Sequence, residues 1–128
     1  MSGRVVHFEV PYDDADRARG FYGDVFGWQI QPIPEMQYDM VSTGPVTDQG
    51  MPSEPGYVGG GMTQRGELVS RPVITIAVDD IDATLQKVSS SGGSPVGEKL
   101  QVGDMGFAAY FNDSEGNLMG LWQNAGQQ

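Results

Sequence analysis

The sequence predicts an α+β fold made of two paired βαβββ modules, which form a curved mixed sheet with an internal trough and with the helices outside. A β-branched apolar run, an acidic turn and a helical pattern occur in this order at residues 5–27 and again at residues 73–93. Each copy spans only about 60 residues, marginal for a core of its own, so the copies should share a sheet or a core. We expect one domain over 1–128, with modules at about 4–62 and 72–123.

The two copies can be superposed, and the superposition pairs unlike residues at one position. With Val10 laid on Val78, and with a two-residue gap in the turn, His7 falls on Thr75. Because equivalent positions of a duplicated scaffold can carry equivalent chemistry, this mismatch bears on whether a duplicated site is present. His7 is also the only histidine, so one chain has no pair of histidines for catalysis or for a metal.

The first module is expected to open with a strand over residues 4–10, which is rich in β-branched side chains. Asp13 or Asp14 then stands where a helix N-cap is favoured, and Gly27 stands where a left-handed C-cap is favoured. Between them lies an apolar stripe with helical spacing, made of Ala18, Phe21, Tyr22, Val25 and Phe26.

Three short strands complete the first module, at residues 28–32, 37–42 and 57–62. Residues 43–56 contain three prolines and three glycines and are expected to be a loop. This loop is either a lid over the trough or an ordinary mobile connection. A polar linker over 63–71 leads to the second module.

The second module repeats this order of elements. It is expected to open with a strand over 72–78 and a helix from about Asp80. The helix should bury Ile81, Thr84, Leu85 and Val88. Strands near 94–101, 105–112 and 117–123 follow, the last two joined by the turn 113–117.

Composition excludes several classes of function. With 7 basic and 17 acidic residues the net charge is −10, which repels phosphate backbones, so no nucleic-acid partner is expected. No apolar run approaches the roughly 18 residues of a membrane span, and the N-terminus does not resemble a secretion signal. The absence of cysteine excludes disulfides and thiolate chemistry. We therefore expect a soluble, cytoplasmic protein with no membrane partner.

Several segments resemble the vicinal oxygen chelate superfamily, which includes glyoxalase I, bleomycin-resistance proteins and extradiol dioxygenases. These segments are His7-Phe8-Glu9-Val10, the helix end Phe21-Tyr22 to Phe26-Gly27-Trp28, the stretch Val78-Asp79-Asp80-Ile81-Asp82 and the turn Phe111 to Asn117. The turn is similar to the family's turn, with Ser114 where the family has proline. The resemblance covers essentially the whole chain and implies the fold of the vicinal oxygen chelate superfamily. It is much less specific for activity, because one fold can host many activities.

In metal-dependent members, four side chains from the first and last strands of the two halves hold a divalent ion. Carried over to this chain, the first position is His7, a competent ligand, and the second-half counterpart is Thr75, a poor ligand for a transition metal. The last-strand positions fall on Gly120 and within the Gly59–Gly61 stretch, which have no side chains to offer. One ligand of four is left, so no cofactor and no complete metal site are predicted.

Nine residues are the candidates for binding a ligand: His7, Glu9, Trp28, Tyr38, Tyr57, Met62, Thr75, Tyr110 and Trp122. His7 is a trough-lining ligand, a hydrogen-bonding group, an acid/base or simply an inherited strand residue. Glu9, two residues along the same strand face, could fix the tautomer of the imidazole or raise its pKa. Aromatic residues on strands belong to cores more often than to binding platforms. The glycine run 59–61 lacks the lysine and helix of a phosphate loop.

Three functions are consistent with this pattern. The first is a metal-free protein of the glyoxalase/bleomycin-resistance type that binds a small amphipathic or aromatic ligand. The second is a metal-dependent glyoxalase-like lyase, isomerase or dioxygenase-related enzyme that uses His7 with carboxylates such as Glu9. The third is a metal-free enzyme with His7 as general base, and His7 is the catalytic candidate in either enzyme. The resemblance implies a homodimer in every case.

Overall fold

The computed structural model describes residues 3–126, which form eight β-strands and two α-helices. In chain order these are β1 (Val5–Tyr12), α1 (Ala15–Phe26), β2 (Gln29–Ile33), β3 (Tyr38–Ser42), β4 (Gly60–Gln64), β5 (Val73–Ala77), α2 (Ile81–Ser90), β6 (Ser94–Val102), β7 (Gly106–Asn112) and β8 (Leu118–Asn124). A 3-10 turn at Pro34–Met36 joins β2 to β3. The order β-α-β-β-β therefore occurs twice, which confirms the predicted α+β class.

The chain divides into two compact units, each built around most of one module. The first unit is His7–Val73, and the second consists of the chain from Ile74 onward with the residues before His7. In the second unit, Gly3 N–H donates to the carbonyl oxygen of Ala77 at 2.7 Å. The predicted single domain and the predicted trough stay predictions.

The strands of the first unit pair in the order β2, β3, β4, β1. The β2–β3 and β3–β4 pairs are antiparallel, and β1 runs parallel to β4. In this register Glu9 lies beside Gly61, and Gly61 lies beside Met40 on its other side. A side chain that starts on β3 must therefore pass over β4 to reach β1.

The second unit repeats this pairing with the strands in the order β5, β8, β7, β6. The β6–β7 and β7–β8 pairs are antiparallel, and β5 runs parallel to β8. Thr75 lies beside Gly120, and Gly120 lies beside Tyr110. The two units thus have the same internal strand order. Each also has a glycine at the equivalent position of its parallel pair, Gly61 in the first unit and Gly120 in the second.

Both helices begin at the aspartates that the sequence indicates. Asp14 caps α1 by accepting from Arg17 N–H, and Asp80 caps α2 by accepting from Ala83 N–H. Gly27 ends α1 with φ 73°, a left-handed conformation that an L side chain rarely adopts. No helix in the described part of the chain is long and apolar enough to cross a membrane.

The two helices differ in how much apolar surface they bury. In the second unit Ile81 is fully buried in a core with Leu121, and Leu85 and Val88 pack against that core, as predicted. In the first unit the predicted stripe on α1 is largely exposed, at 55% for Phe21, 55% for Val25 and 60% for Phe26. The helix is instead attached to its sheet by other groups: Arg19, which pairs with Asp39, and Tyr22, which stacks on Trp28.

The predicted loop at 43–56 contains neither helix nor strand and is held by its own hydrogen bonds. The hydroxyl of Tyr57 donates to the carbonyl oxygen of Pro45 at 2.6 Å, and the hydroxyl of Thr43 donates to Val58 at 2.8 Å. The Tyr57 ring lies against Gly44, where a Cβ would come within 2.7 Å of it. Tyr57 therefore fastens both ends of the loop together.

Candidate binding site

Three of the predicted residues meet in the first unit. His7 Nε2 lies 2.8 Å from the hydroxyl oxygen of Tyr38, and this hydroxyl donates to Glu9 Oε2 at 2.9 Å. His7 and Glu9 share one face of β1 because side chains alternate along a strand. The result is a continuous chain of hydrogen bonds from an imidazole through a phenol to a carboxylate.

Gly61 is what allows Tyr38 to reach the other two residues. Tyr38 belongs to β3, whereas His7 and Glu9 belong to β1, and β4 lies between these strands. A Cβ built on Gly61 would overlap the hydroxyl and ring of Tyr38. The phenol thus occupies the space that a side chain at position 61 would need, and only glycine leaves that space open.

Burial sets the charge state of His7. The pKa of His7 lies below its ordinary value because burial disfavours the imidazolium, and the nearby Glu9 carboxylate opposes part of this shift. The imidazole is therefore neutral at neutral pH. Glu9 is buried as well, at 8% exposure, so its hydrogen bond from Tyr38 replaces contact with water.

The second unit places Thr75, Tyr110 and Trp122 around Gly120. Thr75 is buried, and a Cβ at Gly120 would come 2.8 Å from its hydroxyl oxygen. Tyr110 lies beside Gly120 on β7, and Trp122 is two residues farther along β8. The indole N–H of Trp122 donates to Asn124 Oδ1 at 2.7 Å. These three residues therefore offer two hydroxyl groups and two aromatic side chains but no imidazole or carboxylate.

The internal register corrects the superposition of the two modules. Glu9 lies beside Gly61 just as Thr75 lies beside Gly120, and each stands five residues before the aspartate that caps the following helix. Thr75 is therefore the counterpart of Glu9, and the pairing of Thr75 with His7 is wrong by two residues. The counterpart of His7 is Val73, which has no ligand atom. The two-residue gap assumed in the turn does not exist.

The remaining predicted residues lie in other surroundings. Trp28 stacks on Tyr22, with ring centroids 4.7 Å apart, and touches Phe8, which points to the face of β1 opposite His7. Met62 is fully buried, next to Gly61 in the chain and therefore on the other face of β4. Tyr57 fastens the 43–56 loop. These positions are typical of packing and of loop support.

The donor atoms of these units do not fit a structural or catalytic divalent ion. Within residues 3–126 no group of three or more histidine, aspartate or glutamate side chains is close enough to hold one. The counterparts of the family's ligand positions are His7, Val73, Gly61 and Gly120, of which His7 alone carries a ligand atom. The free side of its Nε2 is taken by Tyr38.

The sequence did not single out Gly61 within the glycine run 59–61. It also did not predict that His7, Tyr38 and Glu9 are in contact. It also missed the paired Arg19 and Asp39, in which the guanidinium donates from Nε at 2.9 Å and from Nη2 at 3.2 Å. This pairing raises the pKa of Arg19, chiefly through the hydrogen bond to Asp39. A useful signal was the glycine run itself, since a glycine inside a strand marks a close approach of another group.

Comparisons with known proteins agree with the resemblance. Residues 4–44 match a family model described as Bleomycin resistance protein-like N-terminal. The chain is 27% identical over 135 residues to a glyoxylase-like domain-containing protein of Didymella fabae, which covers 99% of this chain and 98% of that protein. It is 32% identical over 117 residues to CFP32 of Mycobacterium bovis, a glyoxylase by name. That match covers 86% of this chain but only 41% of the relative's length.

Solved structures show the same fold. A methylmalonyl-CoA epimerase of Mycobacterium tuberculosis superposes with a TM-score of 0.62 at 18% identity, covering 96% of this chain and 88% of that chain. A hypothetical protein of Bacillus halodurans, BH1468, gives 0.65 at 14% identity, covering 100% and 99%. A glyoxalase/bleomycin resistance protein/dioxygenase superfamily member of Vibrio splendidus gives 0.60 at 18%, covering 97% and 99%. The predicted resemblance to this superfamily is confirmed, and so is its fold.

Proposed function

We propose that this chain binds a small amphipathic or aromatic molecule without a metal ion, in the manner of the bleomycin-resistance-type members of the superfamily. The observation that carries the proposal is the bond between His7 Nε2 and the hydroxyl of Tyr38. In a metal-dependent relative this nitrogen would be expected to face the ion, whereas here it faces a phenol that also fills the space at Gly61. The polar end of such a ligand would meet His7, Tyr38 and Glu9.

Charge restricts the class of ligand. The chain has a net charge of −10, which favours neutral or cationic molecules and disfavours molecules with several phosphates. A structural neighbour, methylmalonyl-CoA epimerase, has been solved in complex with methylmalonyl-CoA. An acyl-CoA carries several negative charges, so this chain is less suited to it than to a cationic amphipathic compound such as bleomycin.

The first test is metal content. We expect protein purified after incubation with Zn²⁺, Ni²⁺ or Fe²⁺, and then dialysed, to retain much less than one ion per chain by elemental mass spectrometry. The reason is that one imidazole nitrogen, already hydrogen-bonded, does not form a coordination sphere. One ion per chain in the wild type, lost in His7→Ala, would refute the metal-free proposal.

The second test is binding, with metal-free bleomycin as the probe in isothermal titration calorimetry. We expect His7→Ala to weaken binding by about tenfold, which is the effect of one lost hydrogen bond. Gln29→Ala is the matched control, because Gln29 is exposed on β2. Absence of binding to the wild type, or equal binding by wild type and His7→Ala, would contradict a ligand site at His7.

Two enzymatic functions are the alternatives. A metal-dependent glyoxalase-like lyase or isomerase is favoured by the names of the similar proteins, and it requires the ion that the first test measures. A metal-free enzyme is favoured by the chain of hydrogen bonds, which connects an imidazole to a carboxylate and could carry a proton. Turnover of the hemithioacetal of methylglyoxal and glutathione, with added metal and without it, distinguishes the two.

A further inference from the structure

The imidazole of His7 offers two nitrogen atoms, and the structure uses one of them. Nε2 is hydrogen-bonded to Tyr38, and within residues 3–126 no hydrogen bond reaches Nδ1. His7 is partly rather than fully buried. The chemistry that a ligand meets at His7 therefore depends on which of the two nitrogens carries the proton.

The hydrogen bond to Glu9 decides that question. A carboxylate has no proton to donate, so the hydroxyl proton of Tyr38 lies between Tyr38 and Glu9. The phenol has no second proton for His7. The oxygen of Tyr38 must then accept from Nε2–H, and in a neutral imidazole the proton on Nε2 leaves a lone pair on Nδ1.

We infer that Tyr38 and Glu9 are positioning residues that hold His7 as the Nε2–H tautomer and present Nδ1 as the acceptor, or base, for a ligand with an N–H or O–H group. This inference rests on the proposed function for the presence of a ligand at His7. It names the side of the imidazole that the ligand meets. It also excludes Nε2 as that side, since Nε2 already donates to Tyr38.

Two further features support this arrangement. The imidazole and phenol rings lie nearly parallel, with 14° between their planes, and the absence of a side chain at Gly61 leaves the space in which the phenol lies. Burial also lowers the pKa of His7, so the neutral ring, for which the tautomer matters, is the form at neutral pH. The site is thus arranged to accept a hydrogen bond from a ligand rather than to donate one.

The single histidine makes a direct experiment possible. In ¹⁵N-labelled protein a two-bond ¹H–¹⁵N correlation spectrum shows the protonation of each ring nitrogen, and every signal must come from His7. At a pH where the ring is neutral, we expect the Nε2–H form to exceed the Nδ1–H form by about tenfold, a ratio that one ordinary hydrogen bond supports. A dominant Nδ1–H form in the wild type would overturn the inference.

Variants separate positioning from general support of the fold. In Tyr38→Phe the acceptor oxygen is lost, so the excess of the Nε2–H form should fall. In Glu9→Gln the amide can donate to Tyr38, whose proton can then turn toward His7, so the Nδ1–H form should rise. Tyr12→Phe is the control, because Tyr12 points to the other face of β1. An unchanged tautomer ratio in folded Tyr38→Phe and Glu9→Gln would overturn the inference.

The probe used above gives a separate readout with ligand present. On saturation with metal-free bleomycin, we expect the Nδ1 resonance of His7 to shift more than the Nε2 resonance. A larger shift at Nε2 would refute the proposed ligand side. If bleomycin does not bind, the binding proposal fails for that probe, whereas the tautomer of the free protein still tests the positioning role.

Discussion

At the scale of single residues, the site depends on the absence of a side chain. Gly61 has no Cβ, so the phenol of Tyr38 crosses β4 and its hydroxyl reaches β1. Gly120 likewise has no Cβ, and this leaves room for the hydroxyl of Thr75. A position that the resemblance assigns to a metal ligand thus leaves room here for a hydroxyl group from a neighbouring strand.

Replacing Gly61 with alanine should destabilise the protein and disturb the site together. The added methyl group would overlap Tyr38, and overpacking of this kind costs about 1–3 kcal/mol. We expect a lower free energy of unfolding in urea and a shift of the His7 ring signals. Gly66→Ala is the control, since a Cβ there would have 4.0 Å to its nearest neighbour. Equal effects of both substitutions would contradict the crossing of Tyr38 over Gly61.

A second residue-scale prediction concerns Arg19 and Asp39. Asp39 is 2% exposed and receives two hydrogen bonds from the guanidinium, so removal of Arg19 leaves a buried carboxylate without that partner. We expect Arg19→Ala to lower the free energy of unfolding by about 1–3 kcal/mol. Arg19→Lys should restore only part of the loss, because lysine cannot donate in the bidentate geometry.

The control for this pair is the other partner of Arg19. Asp16 also accepts from Arg19, at 3.0 Å, but its side chain is 96% exposed. Exposed ion pairs contribute about 0–1 kcal/mol, so Asp16→Ala should change stability little. If Asp16→Ala and Arg19→Ala lower the free energy of unfolding by the same amount, the pairing of Arg19 with Asp39 is not the main interaction that holds α1 on β3.

At the scale of elements, the turn between β7 and β8 is organised by one carboxylate. Asp113 accepts from the backbone N–H groups of Glu115 and Asn117, both at 2.9 Å, and from the side chain of Asn117 at 3.1 Å. These bonds hold the pKa of Asp113 below its ordinary value, with the backbone bond from Asn117 as the largest cause. The turn thus keeps the aspartate of the family's turn, at Asp113, although Ser114 stands where the family has proline.

This turn predicts a pH dependence of stability. The pKa of Asp113 is lower in the folded than in the unfolded state, so the stabilisation is fully present above the unfolded value of about 4 and is lost as the pH falls through the folded value. We expect Asp113→Ala to be less stable than the wild type at pH 7, with a difference that shrinks in acid. Urea unfolding of both proteins across this range measures it. A difference that is constant down to acid pH would contradict the assignment.

At the scale of the whole molecule, the exposed side of α1 bears on assembly. Phe21, Val25 and Phe26 form an apolar surface on one helix, and large exposed apolar patches mark interaction sites more often than chance. Together with the homodimer implied by the resemblance, this surface leads us to propose that two chains associate. The prediction commits to a second copy of this chain as the partner.

Light scattering after size-exclusion chromatography tests the proposal. We expect a mass of about twice the 13.8 kDa of one chain, and a monomer for Val25→Glu, because the carboxylate would be buried in the contact. Met36→Glu is the matched control, an exposed apolar residue outside α1. A monomeric wild type, or a dimer unaffected by Val25→Glu, would refute the role of this surface.

The elements themselves could be predicted from the sequence because their signals are local. The cap at Asp80, the left-handed Gly27, the alternation along β1 and the glycine- and proline-rich loop each act within a few residues of chain. The exposure of Phe21 and Phe26 was not predictable in this way. Helical spacing shows that an apolar stripe exists, but what covers it is decided by the neighbouring elements.

The sequence by itself determined the α+β class and the duplicated βαβββ order, since these follow from local patterns of side chains. The tertiary structure corrected the pairing of the two modules, because the register of β1 with β4 and of β5 with β8 makes Thr75 the counterpart of Glu9. It also decided that Tyr38, 31 residues from His7, supplies the hydroxyl at Nε2. That contact depends on the strand between them having no side chain at Gly61. The glycine run indicates a close approach in this strand, but it does not show which distant side chain makes it.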